Sequence, residues 1–593
     1  MKRNIFHGIS VSAGIAIGRA FFLARKFPQV QAAREISPTQ TGTELARLDA
    51  AFESTRREIE DAGRRIPPSL KDQTGILAAH LMICRDPKLI QAARQAVKSD
   101  FLSAEWALEK AVAAIAESFS LIEDSYIRER LQDVRAVAER IMGHLRGRLA
   151  SALPPDEPFI LLAHDITPAD TLELSLKQII AFATEEGSRT AHTGIMARSL
   201  QIPAVVGVGA LEEAVNDGDM LVLDALEGLI LVNPDQAVLS RYQTQQNKFS
   251  AFQATLRRNA KLPAEPPGGF RVAVRGNIET PDEVMAVLKA GGEGIGLYRT
   301  EYGFICRVEP PSEEDLFEEY RRLLSAAAPH KVVFRTLDVG ADKMLWDQKM
   351  LEEANPALGL RGIRYCLRNQ DVFRRQLRAI LRASMYGNAA LMFPMISGPR
   401  ELRQAKAVLN EVKQELDTSK VPFDRHMPVG LMIELPAAAM TADILAREVD
   451  FFSIGTNDLI QYSIAVDRTN KHVSSLHQPL HPGIVRTIKL VVDMAHMAGV
   501  PVSICGEMAS DPYCLLILLG MGIDEISMAP QAIPGIKHII RHLDLDECTR
   551  LAREAHDAGS IQAVNRLGKL TPAQAFPDEL PFYISLLDTG DFA

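Results

Sequence analysis

The sequence predicts a multidomain α/β protein: an α/β domain with an α-helical domain inserted into it, followed by a C-terminal (β/α)8 TIM barrel. Three observations predict this architecture. At 593 residues the chain is too long for a single hydrophobic core. Its apolar periodicity switches from strand-like to helical near residue 38 and back again near residue 151. From Phe270 onward, eight short apolar segments alternate strictly with helical patterns.

Taken in order, residues 1–37 open the α/β domain. MKRNIFHGISVSAGIAIGRAFF alternates like strands joined by a glycine turn. Its apolar stretch is short, rich in glycine and interrupted by Arg19, which argues against a signal peptide. Residues 38–150 form the inserted helical domain. TELARLDAAFESTRREIEDA, ILAAHLMI, LIQAARQAVK and WALEKAVAAIAESFSLIE place apolar residues at three- and four-residue spacing. Residues 151–235 return to β-rich runs in PFILLAH, QIIAFAT, AVVGV and MLVLDALEGLILVNP, completing the α/β domain. Residues 236–269 read as a linker, with a polar helix near Arg241 to Ala260 and then the Pro/Gly-rich LPAEPPGG. Residues 270–593 hold the barrel strands RVAVRGNI, GIGLYRTE, VVFRTLDVG, ALMFPMIS, VGLMIELP, FFSIGTNDL, VPVSICGE and EISMAP.

Composition narrows the functional classes. A formal charge of −9, with no basic run interleaved with aromatics, argues against a nucleic-acid partner. With 47% hydrophobic and 24% charged residues the chain is neither disordered nor fibrous. No segment is long and apolar enough to insert into a membrane. The six cysteines (84, 306, 366, 505, 514 and 548) show no C-x-x-C spacing, which points to free thiols in a reducing, cytoplasmic compartment.

The run Glu186-Gly-Ser-Arg-Thr-Ala-His192-Thr-Gly-Ile-Met-Ala-Arg198 sets one histidine among small, hydroxyl-bearing and cationic residues where a helix should begin. Neutral imidazole is a competent nucleophile, and Arg189, hydroxyls and helix-start N–H groups would stabilise a phosphoryl group received there. The motif alone leaves open a histidine that merely caps or packs the helix.

Chemistry in such a barrel sits at the carboxyl ends of the strands. Those positions here hold Asn277, Arg299, Arg335, Asp338, Glu434, Asn457, Asp458, Cys505 and Glu507. Arg299, Arg335 and Arg468 suit a small polyanion bearing phosphate and carboxylate. Glu434 and Asp458 end neighbouring strands and offer hard oxygen ligands for Mg2+. Asn457 can donate its amide to a phosphate oxygen, although Asn-Asp is also common turn chemistry. Cys505, as a thiol, can give a proton to a carbanion. The alternative for Cys505 is a packed core cysteine, which is how the other five read.

GSRTAHTGIMARSLQIPAVVG, GIGLYRTE, FRTLDVGADK, LGLRGIR, FFSIGTNDLIQYSIAVDR and CGEMASD together resemble enzyme I of the bacterial phosphoenolpyruvate-dependent sugar phosphotransferase system, over nearly the whole chain. The resemblance implies that His192 is phosphorylated on Nε2 by phosphoenolpyruvate and passes the group to a histidine of the small carrier HPr, with release of pyruvate. It further implies that Arg299, Arg335, Asn457, Asp458 and Arg468 bind phosphoenolpyruvate, that Glu434 and Asp458 hold Mg2+, and that Cys505 protonates the enolate. Thr171 resembles a threonine that hydrogen-bonds the active imidazole. The family's architecture is a swivelling phosphohistidine domain, an inserted helical domain that docks the carrier, and a barrel that also forms a homodimer.

One region departs from the family. SLKDQTGILAAHLMICRDPKLIQAARQ carries Lys71, Arg85, Lys88 and Arg94 against only Asp72 and Asp86, where typical members are acidic. The acceptor is therefore expected to be either an HPr of altered charge or a regulatory paralogue of it. A pyruvate phosphate dikinase relative would need an ATP-binding domain and glycine-rich loop ahead of His192, which this sequence does not offer. A dead scaffold would be expected to lose rim residues that this barrel retains.

Overall fold

The computed structural model describes residues 5–23, 35–65, 80–120, 134, 137–145, 157–164, 166, 179–187, 202–269, 271–304, 309–340, 355–468, 470, 472–577 and 579–583. They fall into two compact units, Met1–Phe249 and Ser250–Ala593.

The first unit is built on an eight-stranded mixed sheet. Its strands are β1 (Ile5–His7), β2 (Ile9–Ser12), β3 (Ile15–Phe22), β4 (Phe159–Ala163), β5 (Ile179–Thr184), β6 (Ala204–Val206), β7 (Met220–Asp224) and β8 (Leu229–Val232), in the order β1-β8-β7-β3-β4-β5-β6-β2. The apolar run of β4 is buried on both faces. Ile160 and Leu162 join Ala16, Ala20 and Ala181 on one side, while Phe159, Leu161 and Ala163 join Val11 and Phe182 on the other. A strand covered on both faces loses the apolar/polar alternation of a half-exposed one.

Strands β3 and β4 pair in parallel, from Arg19 opposite Phe159 to Phe22 opposite Leu162. Between them in sequence lie α1 (Thr41–Arg65), α2 (Pro87–Ser99) and α3 (Ala104–Ser120), with a further helix over 137–145. Their apolar stripes meet in one core, in which Leu48, Phe52, Leu89, Val97, Leu108 and Ile141 are buried. Here the structure modifies the charge reading of the segment 69–95. Arg85 pairs with Glu60 at 2.8 Å and Arg94 with Asp49 at 2.7 Å, so acidic residues of α1 neutralise two of the four cations. Lys88 is exposed, and Lys71 lies outside the described residues.

The second unit contains a closed barrel of eight parallel strands: β9 (Ala273–Ile278), β10 (Gly294–Arg299), β11 (Lys331–Arg335), β12 (Asn388–Phe393), β13 (Val429–Ile433), β14 (Phe452–Gly455), β15 (Val502–Cys505) and β16 (Glu525–Met528). Each of the eight apolar segments read from the sequence contributes one strand, and β16 pairs with β9 to close the ring. Leu297, Val333, Ala390, Met392, Met432 and Phe451 form an apolar cluster of the barrel that also includes Cys505. Near the strand starts, Glu525 pairs with Arg275 at 3.1 Å and with Lys331 at 3.8 Å.

The helix Pro512–Gly520 is apolar all round, and Cys514 through Leu519 are buried. Such a helix needs cover on its outer side, and Leu545–Asp557 provides it. Gly520 permits the approach, because a Cβ there would stand 1.9 Å from the Cys548 carbonyl oxygen.

Aromatic rings lock β10 and β11 to the helix Glu313–Ala327. Phe334 stands edge-on to Tyr298 at 5.7 Å and to Tyr320 at 5.1 Å, and none of the three is exposed. Phe334→Ala is expected to lower unfolding stability by about 3–5 kcal/mol, read from denaturant melts.

Candidate active site at the carboxyl end of the barrel

Barrel closure converts a series of strand ends into a ring of side chains. Arg299, Arg335 and Cys505 are the last residues of β10, β11 and β15. Glu434 follows β13 directly, and Asn457 and Asp458 occupy the first turn of the helix Thr456–Ile464 that springs from β14. Gly455 makes that turn without crowding the site. A Cβ at this position would lie 2.9 Å from Met432 Sδ and 3.1 Å from Glu434 Oε2.

Arg335 is the hub. Its guanidinium pairs with Glu301 at 2.9 Å and with Asp338 at 3.0 Å. Arg361 approaches Asp338 from the other side, with Nη2 3.2 Å from Oδ1 and 3.1 Å from Oδ2. Its Nη1 donates to Tyr462 Oη at 3.0 Å and lies 3.7 Å from Asp458. Burial opposes the charge on Asp338, but Arg335 and Arg361 overcome it and hold its carboxyl below the usual range. Burial pushes the Glu301 carboxyl up despite Arg335 beside it.

Asp338, Glu434 and Asp458 each offer a carboxylate oxygen, and the three oxygens lie within 4.8 Å of one another. Glu434 is fully buried. Its Oε1 accepts the Met395 N–H at 2.6 Å, while Oε2 is buried with no hydrogen-bond partner. Burial first, and then the neighbouring Asp338 and Asp458, push its carboxyl well above the ordinary value. A buried, unpartnered carboxylate oxygen facing two other carboxylates fits a bound divalent cation, which would satisfy the orphaned oxygen and relieve the like-charge repulsion.

The remaining rim residues are more dispersed. Arg299 pairs with Glu279 at 2.9 Å and is 40% exposed on its side chain. Asn457 Oδ1 accepts the Glu507 N–H at 3.0 Å. Arg468 lies past the end of its helix, its backbone N–H directed at Gln461 Oε1 at 3.4 Å, and has no ion pair with the acidic cluster among the described residues. Cys505 is buried, and its thiol donates to the Ile454 carbonyl oxygen at 3.5 Å. Burial pushes this thiol up, so it stays protonated. His192, Thr171 and Arg189 lie outside the described residues.

Two members of the cluster escaped the strand-end reading. Arg361 belongs to the motif LGLRGIR, but it sits in the β11–β12 connection rather than at a strand end. Glu301 lies just past Arg299, in the 3-10 turn Thr300–Gly303. Its Oε1 also accepts the Asp338 N–H at 3.0 Å, so one carboxylate braces both the guanidinium and the loop of its partners.

Models of three domains of the phosphoenolpyruvate-utilising enzymes match this chain: the N-terminal domain over residues 7–130, the mobile domain over 155–228 and the phosphoenolpyruvate-binding domain over 253–545. The phosphoenolpyruvate-protein phosphotransferase of Geobacillus stearothermophilus is 40% identical over 573 residues, covering 96% of this chain and 99% of the relative. The chain belongs to the phosphoenolpyruvate-protein phosphotransferase family. Further family members include those of Priestia megaterium, 41% identical over 90% of this chain and 93% of the relative, and Staphylococcus aureus, 38% identical over 95% and 99%. The barrel that carries the arginine–carboxylate cluster is thus the segment matched by the family's phosphoenolpyruvate-binding domain.

Proposed function

We propose that this protein is a phosphoenolpyruvate-protein phosphotransferase of the sugar phosphotransferase system, taking the phosphoryl group of phosphoenolpyruvate onto its own His192 and passing it to a histidine of an HPr-like carrier. The observation that carries this reading is the buried cluster of Arg335 and Arg361 with Asp338, Glu434 and Asp458 on the rim of a barrel of this family. With Glu301 included, four carboxylates face two guanidiniums, a surplus of two negative charges when all are ionised. That environment would repel an anionic substrate, and one divalent cation balances it.

Glu434 and Asp458, with Asp338 beside them, are the residues that would hold Mg2+. When bound, the ion supplies charge neutralisation for the phosphoryl oxygens. Arg335, Arg361 and Arg299 offer planar donors to the phosphate and carboxylate, and the Asn457 amide offers another. The His192 nitrogen then attacks phosphorus in line. The N–P bond forms as the P–O bond to the enol carbon breaks, and the enolate leaves with the electron pair. Cys505 Sγ gives its proton to the terminal carbon, producing pyruvate. Arg85 and Arg94 are already paired with Glu60 and Asp49, so they do not oppose a basic carrier as free cations would. The proposed setting is cytoplasmic, with a homodimer formed through the barrel.

The test is transfer to a purified HPr protein, with pyruvate measured by a coupled dehydrogenase. One pyruvate per phosphorylated HPr is expected, and phosphoenolpyruvate left intact would overturn the reading. Cys505→Ala is expected to slow turnover by about 10²-fold or more while phosphoenolpyruvate binding persists. Because the thiol is pushed up, its donor form survives through neutral pH. In the wild type, the contribution of Cys505 should fade only as pH rises through that elevated value.

A further inference from the structure

Cys505 is buried and belongs to the apolar barrel cluster of Leu297, Val333, Ala390, Met392, Met432 and Phe451. Such burial suits the neutral thiol and disfavours the thiolate that remains once the proton has gone to the enolate. Two polar groups reach the sulfur. The Ile454 carbonyl oxygen, 3.5 Å away, accepts from the S–H and would repel a thiolate. The hydroxyl of Ser453, 3.7 Å away, points its donor at the sulfur. Among the described residues it is the one hydrogen-bond donor to Sγ.

Ser453 is 1% exposed and lies in β14, whose Gly455 stands opposite Cys505 of β15. Ser453 itself pairs with Ser503, so its hydroxyl reaches the thiol diagonally, from a strand position rather than from a loop. The charged groups acting on the sulfur come from other strands. Arg335 at the end of β11 and Arg299 at the end of β10 favour the thiolate, and Glu434 after β13 opposes it.

We propose that Ser453 is a positioning residue for proton transfer, holding the Cys505 sulfur in place and supplying the hydrogen bond that the thiolate needs. This rests on the reading of Cys505 as the proton donor. In the forward step the S–H bond breaks, a C–H bond forms at the enolate's terminal carbon, and the electron pair stays on sulfur. The Ser453 O–H bond is not broken; its hydrogen bond to sulfur shortens as negative charge builds there. Solvent returns the proton to sulfur after pyruvate leaves.

The hydroxyl acts on the second half of the reaction and leaves the first half alone, which separates it from a packing role. In single-turnover experiments on the full chain with Mg2+, Ser453→Ala should label His192 at the wild-type rate but form pyruvate about tenfold more slowly, the scale of one hydrogen bond to a charged group. The solvent deuterium isotope effect on pyruvate formation should rise, and Ser453→Thr, which keeps the hydroxyl, should recover part of the rate. Pyruvate keeping pace with labelling in Ser453→Ala overturns the proposal, as does a slowing of labelling that matches the slowing of pyruvate. Cys505→Ala run alongside separates the two readings. If it opens no gap between labelling and pyruvate, the assignment of Cys505 fails. If it opens one and Ser453→Ala does not, only the role of Ser453 fails.

Discussion

Replacing His192 with alanine is expected to abolish the phosphate that phosphoenolpyruvate and Mg2+ should deposit on the protein under the proposed function. The expected label is acid-labile and base-stable, as befits a phosphoramidate rather than an ester. No other group in the motif can stand in for the imidazole. Ser188 and Thr190 are hydroxyls that need a strong base to attack phosphorus, and Arg189 and Arg198 are permanently protonated. Loss of the nucleophile therefore removes the step itself rather than slowing it. Phosphoenolpyruvate should still bind, because the cluster proposed to receive it is assembled entirely from the barrel. Autoradiography with labelled phosphoenolpyruvate, alongside an affinity measurement, separates these outcomes. Undiminished labelling in His192→Ala would refute the assignment.

Glu434→Gln should pull stability and activity in opposite directions. The side chain keeps its shape and can still accept the Met395 N–H, but it loses the charge that burial, Asp338 and Asp458 all oppose. The metal-free protein should therefore be as stable as the wild type or more so. The sign of the pH dependence follows from the elevated carboxyl. A buried acid whose folded value lies above its unfolded value destabilises the fold as pH rises through that window, and glutamine removes this slope. Activity should collapse by about 10²-fold or more, because an amide oxygen is a poor replacement for a carboxylate toward Mg2+. If Glu434 holds Mg2+ as proposed, the metal competes with the proton that burial, Asp338 and Asp458 favour on its carboxyl. Affinity should weaken as pH falls, and calorimetry in buffers of different ionisation enthalpy should detect proton release. A variant that keeps both Mg2+-dependent labelling and proton release would remove Glu434 from the metal site.

The barrel was legible because its signal is local. Each apolar run followed by a helical pattern marks one unit, and each of the eight runs forms a strand. Strand ends then pointed to Arg299, Arg335, Glu434, Asn457, Asp458 and Cys505 without any knowledge of contacts. Arg361 and Glu301 were harder because they lie in connections, where no periodicity fixes which way a side chain faces. The charge of the segment 69–95 was only partly legible for a related reason. Arg85 and Arg94 look unopposed within their own segment, but their partners Glu60 and Asp49 belong to another helix.

By itself the sequence determined the number of barrel units, the family and the kinds of donor on the rim, since periodicity and motif are written residue by residue. Only the tertiary structure decided which of those groups meet. Closing the ring brings oxygens of Asp338, Glu434 and Asp458 within 4.8 Å of one another, and the pairing of β14 with β15 lets the Ser453 hydroxyl reach the Cys505 thiol diagonally. Those distances decide the chemistry, because repulsion between carboxylates, the cost of an unpartnered oxygen and the stability of a thiolate depend on separation and burial rather than on order along the chain.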